Sequence, residues 1–168
     1  MKAGSKRRIG ILLYYVLPLL CWIGLIHFSS SQSYEDQNVQ PLFQGVNLDW
    51  VNQWFSWVSF QYGGTIVSLE TRTPAAFVEF FLRKGAHVFV YAVLGVLVYR
   101  LAKQYLLSKF WAGSTAWLFV ILYASIDEYR QFLHPYRTGL VEDVIFDSIA
   151  GLLGILIFIG GARHSAGH

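Results

Sequence analysis

Four stretches of this chain are long, apolar and almost free of charge, and they restrict it to very few folds. Ile9 to Phe28 is a run of 20 uncharged residues, which is what a helix needs to cross about 30 Å of hydrocarbon. Phe110 to Ile126 is a 17-residue run, at the short end for a span. Gly85 to Tyr99 is apolar apart from His87, and Leu140 to Gly161 is apolar once Asp143 and Asp147 are passed. Only 14% of the 168 residues are charged and 55% are hydrophobic, whereas a soluble domain carries roughly 25% charged residues. The expected fold class is therefore all-α. A single polytopic membrane domain covers residues 1–168, with transmembrane helices at about 9–28, 77–99, 110–131 and 140–161.

The first run follows Lys2, Lys6, Arg7 and Arg8. A basic start and an apolar run are also the marks of a signal peptide. This run exceeds the usual 7–15 residues, and no small-residue cleavage site follows it, which favours a retained helix. Pro18 is placed to kink it. Residues 29–73 form a long connection. Within it, Trp50, Trp54, Trp57 and Val58 recur at helical spacing in Leu48–Val58. That pattern suits a short amphipathic helix on the membrane surface or one capping the bundle. Gly63-Gly64, flanked by Phe60-Gln61-Tyr62 and Thr65-Ile66-Val67, predicts a small β-hairpin. Thr73-Pro74 is a helix start: a capping residue with proline at the first helical position. His134-Pro135 is a helix stop, and Tyr136 to Gly139 a tight turn.

Charge bias sets the orientation. With both termini in the cytoplasm, Arg8, the Arg100–Lys109 loop and Arg163 all lie inside, as the positive-inside bias requires. Every Asp and Glu then lies in the extracytoplasmic connection or at an outer helix end. The expected location is a cell membrane, crossed several times, with a polar pocket facing the extracytoplasmic side.

Ionisable groups are costly at a membrane edge, so a dense set of them marks a candidate site. His87 stands three residues from Lys84 and four from Arg83, on one helix face. Asp127 and Glu128 each share a face with Gln131, and Asp143 shares one with Asp147. Glu79 and Arg83 are spaced to pair. In the functional reading, Asp127, Glu128 and His87 are candidate acid/base groups. Arg83, Lys84, Gln131, Arg137, Asp143 and Asp147 bind an anionic ligand, with the cations gripping phosphate or carboxylate. In the competing reading the same charges only fasten helices together.

Other classes are disfavoured. The net charge is +3 and the basic residues are dispersed, so no nucleic-acid footprint is present. A metal set of His87, Asp127, Asp143 and Asp147 lacks any recognisable ligand spacing. There is no P-loop, Rossmann or GxSxG pattern; neither a metal nor a cofactor is expected. The spans carry no mid-helix charge, which argues against a transporter. Adjacent acids alone do not make an intramembrane protease. The single Cys21 is expected to be a small apolar residue.

Three motifs run through these positions: Arg83-Lys84-Gly85-Ala86-His87 with Tyr91 and Gly95; Asp127-Glu128 with Gln131 and Arg137; and Asp143 with Asp147 and Gly151. Together with Phe28-Ser29-Ser30-Ser31-Gln32, they resemble the VanZ-like membrane proteins over nearly the whole chain. The long connection departs from the short Asn/Pro-containing stretch of that family. The resemblance implies a small multi-helix bacterial membrane protein of the cell envelope, in a family named for a member linked to teicoplanin resistance. It implies a residue set rather than a reaction. The expected partners are membrane lipids, with an anionic envelope lipid, cell-wall precursor or glycopeptide as ligand. The alternative is a non-enzymatic accessory subunit that docks a partner protein.

Overall fold

The computed structural model describes residues 2–33, 35–133 and 137–164. The chain begins with one continuous helix: α1 (Lys2–Ile11), a π-helical turn (Leu12–Val16) and α2 (Leu17–Ser30). The wide turn lies directly before Pro18, whose ring clashes with the carbonyl four residues back, that of Tyr14. A π turn moves such a carbonyl aside without breaking the helix. A 3-10 turn (Gln40–Phe43) and a short helix α3 (Asp49–Phe55) follow. Strands β1 (Ser59–Tyr62) and β2 (Thr65–Ser68) then pair antiparallel, Tyr62 opposite Thr65. Gly63 and Gly64 both have positive φ, 55° and 76°, as a two-residue hairpin turn requires. The hairpin expected at this glycine pair is present.

Three long helices complete the chain: α4 (Pro74–Ala102), α5 (Lys109–Phe132) and α6 (Val141–His164). Thr73 Oγ1 accepts the Ala76 N–H at 3.2 Å, closing the predicted cap of α4. Together with Gly4–Ser30, the stretches Pro74–Ala102, Lys109–Phe132 and Val141–Gly161 are long and apolar enough to cross a membrane. The protein is thus an all-α polytopic membrane protein with a small two-stranded sheet. The helix stop at His134-Pro135 and the start of the turn at Tyr136 fall outside the described residues.

The outer surface of the bundle is what lipid would select. Leu118, Leu122 and Ile126 on α5, and Ile145, Ile149, Leu153 and Leu156 on α6, are all at least half exposed. They recur every three or four residues, as one helix face does. The interior between the long helices is built on Tyr91, Leu94, Val98, Ala112, Ala116, Val120, Ala124 and Ile155. The Trp22 indole N–H donates to the Val90 carbonyl at 2.9 Å, and that of Trp117 to the Ser148 carbonyl at 3.1 Å. Each indole thereby keeps an acceptor where no water is at hand.

α4 and α6 run parallel, and glycine decides how near they come. A Cβ on Gly95 would stand 2.6 Å from the Gly151 carbonyl oxygen, and one on Gly154 would overlap the Ala92 backbone. Small residues at such seams let helix backbones touch in lipid, where packing rather than water drives association. A second cluster of Val51, Val67 and Phe77 ties α3 and the hairpin to the start of α4. α3 caps the bundle through Val51, while Trp54 and Trp57 stay outside, 68% and 80% exposed.

Candidate functional site

The polar residues singled out from the sequence meet at one end of the bundle. They come from the last turn of α2, the first half of α4, the end of α5, the loop that follows it and the start of α6. Asp127 is buried and accepts four donors: Ser30 Oγ at 2.6 Å, Arg130 Nη1 at 3.1 Å, Gln131 Nε2 at 3.2 Å and Tyr91 OH at 3.4 Å. Glu128, one residue on, points elsewhere. Its Oε1 accepts Gln131 Nε2 at 3.1 Å and its Oε2 the Leu140 N–H at 2.9 Å, just ahead of α6. The two adjacent acids therefore hold α2 and α4 on one side and α6 on the other, with Gln131 shared between them.

Arg137 is buried as well. Its Nε donates to the Gln32 carbonyl at 2.7 Å, its Nη1 to Gln131 Oε1 at 3.2 Å and its Nη2 to the Ser29 carbonyl at 3.5 Å. Arg83 pairs with Glu79 at 2.7 Å, as the four-residue spacing predicts. Glu79 also takes Gln40 Nε2 at 2.7 Å, which ties the 3-10 turn to α4. Asp143 receives both the Lys84 ammonium and the Tyr62 hydroxyl. Burial first, and the Asp143 carboxylate second, push the Tyr62 phenol above its ordinary pKa, so it stays a donor. The Lys84 ammonium also lies over the Tyr62 ring, 4.4 Å from its centroid. His87 Nδ1 is 3.2 Å from Asp147 Oδ2, with Asp147 fully buried.

Two cavities flank this network. The larger, about 600 Å³, lies between α2, the 3-10 turn and α4. Its lining is apolar at Leu25, Ile26, Leu42, Phe43, Leu82 and Val90, and charged or polar at Glu79, Arg83, His87, Asp127, Gln131 and Arg137. Leu25 and Leu82 at its rim are about half exposed, on the flank of the bundle. The smaller, about 390 Å³, lies under the hairpin and is bounded by Tyr62, Thr65, Lys84, Thr138 and Asp143. Glu79, Arg83, His87, Gln131 and Arg137 line both.

Asp127 and Glu128 thus have their oxygens committed to helix contacts, while His87 has one nitrogen on Asp147 and its ring on both cavities. Among the described residues no three His, Cys, Asp or Glu side chains converge as metal ligands. Ser30, Tyr91 and Tyr62 complete the network without having been assigned a role by spacing. The run of serines after the first span and the position of Tyr91 one turn beyond His87 were the available signals; nothing local pointed to Tyr62.

Against known proteins, a model of the VanZ/LLP1 family matches residues 15–162, a range that takes in every residue of this network. No curated protein and no solved structure matches the chain.

Proposed function

The chain belongs to the VanZ/LLP1 family, and from that premise and the shape of the larger cavity we propose that it binds an anionic amphiphile of the cell envelope. The ligand is an envelope lipid or a lipid-linked cell-wall precursor. The observation that carries this reading is one cavity lined by many apolar side chains together with Arg83, His87 and Arg137, beside the carboxylates Glu79 and Asp127. Arg83, His87 and Arg137 receive the headgroup; Glu79 holds Arg83, Gln131 holds Arg137 and Asp147 holds His87, while Lys84 and Asp143 pair with each other. Leu25, Ile26, Leu82 and Val90 receive the chain. A site of this kind buries apolar surface and uses a few placed polar groups for orientation.

Native mass spectrometry on the purified protein tests it, with phosphatidylglycerol against phosphatidylcholine as probes. Arg83→Ala should weaken phosphatidylglycerol retention by about 10-fold, the equivalent of one charge-assisted hydrogen bond. Leu82→Trp should fill the apolar side and exclude both lipids. Undiminished retention in Leu82→Trp overturns the reading.

The orientation follows the charges. The extracytoplasmic face carries the acids and the cavity; Lys6, Arg7, Arg8, Arg100, Lys103 and Lys109 face the cytoplasm. In a Cys21→Ala background, Trp57→Cys should react with a membrane-impermeant thiol reagent in intact cells. Leu107→Cys, 97% exposed in the α4–α5 loop, should react only after the cells are opened. The reverse pattern inverts the topology and moves the ligand to the cytoplasm. With the cavity outside, altered glycopeptide susceptibility would follow from withholding or altering a precursor, and Leu82→Trp should cancel it.

A second reading, an accessory subunit without chemistry, is favoured by exposed Trp54 and Trp57. Tryptophan is enriched at protein interfaces. On that reading Trp54→Ala with Trp57→Ala removes the cellular effect, and Leu82→Trp leaves it intact.

A further inference from the structure

Burying a carboxylate is costly, and a pair that merely fastens helices recovers that cost best when both oxygens are satisfied. Asp147 satisfies one. Its Oδ2 faces His87 Nδ1 at 3.2 Å, while its Oδ1 has no hydrogen-bond partner among the described residues. Asp147 sits at the α4–α6 seam, fully buried, beneath an imidazole that lines both cavities. A carboxylate accepting from Nδ1–H fixes the tautomer and leaves the lone pair on Nε2. The Tyr91 ring lies nearly parallel to the imidazole, 20° between planes and 6.2 Å between centroids. Arg83, paired with Glu79, and Arg137 line the same space, as does Asp127. A positioned base beside guanidinium groups is the equipment for phosphoryl transfer, where catalysis is mostly placement and charge.

We propose that His87, oriented by Asp147, hydrolyses the terminal phosphoanhydride of a lipid-linked diphosphate held in this cavity; the proposal rests on the reading of that cavity as an amphiphile site. His87 Nε2 takes a proton from a water whose oxygen attacks the terminal phosphorus. The bond from that phosphorus to the bridging oxygen breaks, and its electron pair stays on the bridging oxygen. Inorganic phosphate and the lipid monophosphate separate, and the imidazolium returns its proton to solvent. An anhydride is the fitting substrate because its leaving group departs as a phosphate anion. A phosphomonoester would release an alkoxide needing a proton. Asp127 and Glu128 act as hydrogen-bond acceptors, and Lys84 is held on Asp143. His87 is the catalytic residue and Asp147 the positioning residue.

The test uses the full chain in nanodiscs with farnesyl diphosphate as probe, reading binding by native mass spectrometry and turnover by released inorganic phosphate. Wild type should bind the probe and convert it to farnesyl monophosphate. Inorganic pyrophosphate, which has the anhydride but no chain, should turn over at least ~10-fold more slowly, since remote binding contributes to rate; equal rates would overturn the lipid specificity. His87→Gln should retain binding and lose ~100-fold or more in phosphate release, the usual worth of a general base. Free imidazole should restore part of the rate to His87→Gly. Asp147→Asn should lower kcat by ~10-fold or more with KM little changed, because it acts through His87. Absence of probe binding in wild type overturns the amphiphile site itself. Binding without phosphate release overturns only the hydrolysis. Unchanged release in Asp147→Asn removes the positioning role, and this variant also decides the matter if His87→Gln fails to fold.

Discussion

Gly154→Leu is expected to destabilise the folded protein severely, whereas Gly160→Leu, six residues further along α6, should leave it intact. A Cβ on Gly154 would overlap the backbone of Ala92, and backbone cannot turn aside as a side chain can. The neighbouring contacts permit no retreat. Gly95 faces the Gly151 carbonyl, and a Cβ on Gly151 would stand 2.6 Å from Val120 Cγ1 on α5. Moving α6 away from α4 therefore drives it into α5. Overpacking costs up to about 3 kcal/mol where side chains can relax, and here the obstacle is main chain. Parting the helices would also pull His87 from Asp147 and Lys84 from Asp143, which share the same seam. Gly160 has open space around it, so leucine there should change stability by less than about 0.5 kcal/mol. Heating the detergent-solubilised variants and following the monodisperse peak by size exclusion gives both Tm values. Equal Tm values for the two leucine variants would show that the α4–α6 seam does not govern stability.

The second large effect divides the two acids from the histidine. Asp127→Ala removes the acceptor shared by Ser30, Arg130, Gln131 and Tyr91. Tyr91 and Gln131 are buried. Breaking a buried charge network by deleting one partner costs about 3–5 kcal/mol. The lower end applies, since the Arg130 side chain is one-third exposed and can be hydrated. Asp127→Asn keeps one acceptor oxygen and should cost about 1 kcal/mol, the worth of an ordinary hydrogen bond. Glu128→Ala frees the Leu140 N–H and should also lower abundance. His87→Gln, whose amide can still donate to Asp147, should keep a Tm near that of wild type. Thermal melts and membrane abundance of the four variants make the comparison. Normal abundance of Asp127→Ala would return that carboxylate to the candidates for chemistry.

How much of this was legible follows from which contacts are local. The spans rest on composition and length, which a sequence states directly. The α4 cap at Thr73-Pro74 and the Gly63-Gly64 turn are conformational requirements of single residues. The pairs Glu79–Arg83, Asp127–Gln131 and Glu128–Gln131 lie three or four residues apart, and a helix brings such residues together by itself. His87–Asp147 and Lys84–Asp143 are different. They depend on the rotational phase of α4 against α6, which Gly95, Gly151 and Gly154 set through close approach rather than through any periodic signal. For the same reason the partners of Asp127 and Glu128, the most conspicuous acids in the sequence, were not legible: Ser30, Tyr91 and the Leu140 N–H reach them from distant segments. Tyr62 reaches Asp143 only because the hairpin folds back over the bundle.

The pair of cavities on either side of Arg83 and His87 has one more consequence. Leu25 and Leu82 bound the larger on the flank of the bundle, while Thr65 and Thr138 bound the smaller beneath the hairpin. A ligand entering from the flank never leaves its leaflet. For such a ligand, encounter would be a planar diffusion problem. Saturation would be reached at a mole fraction of the ligand among its neighbouring lipids, and diluting the membrane with inert lipid would slow binding even when the bulk concentration is held constant.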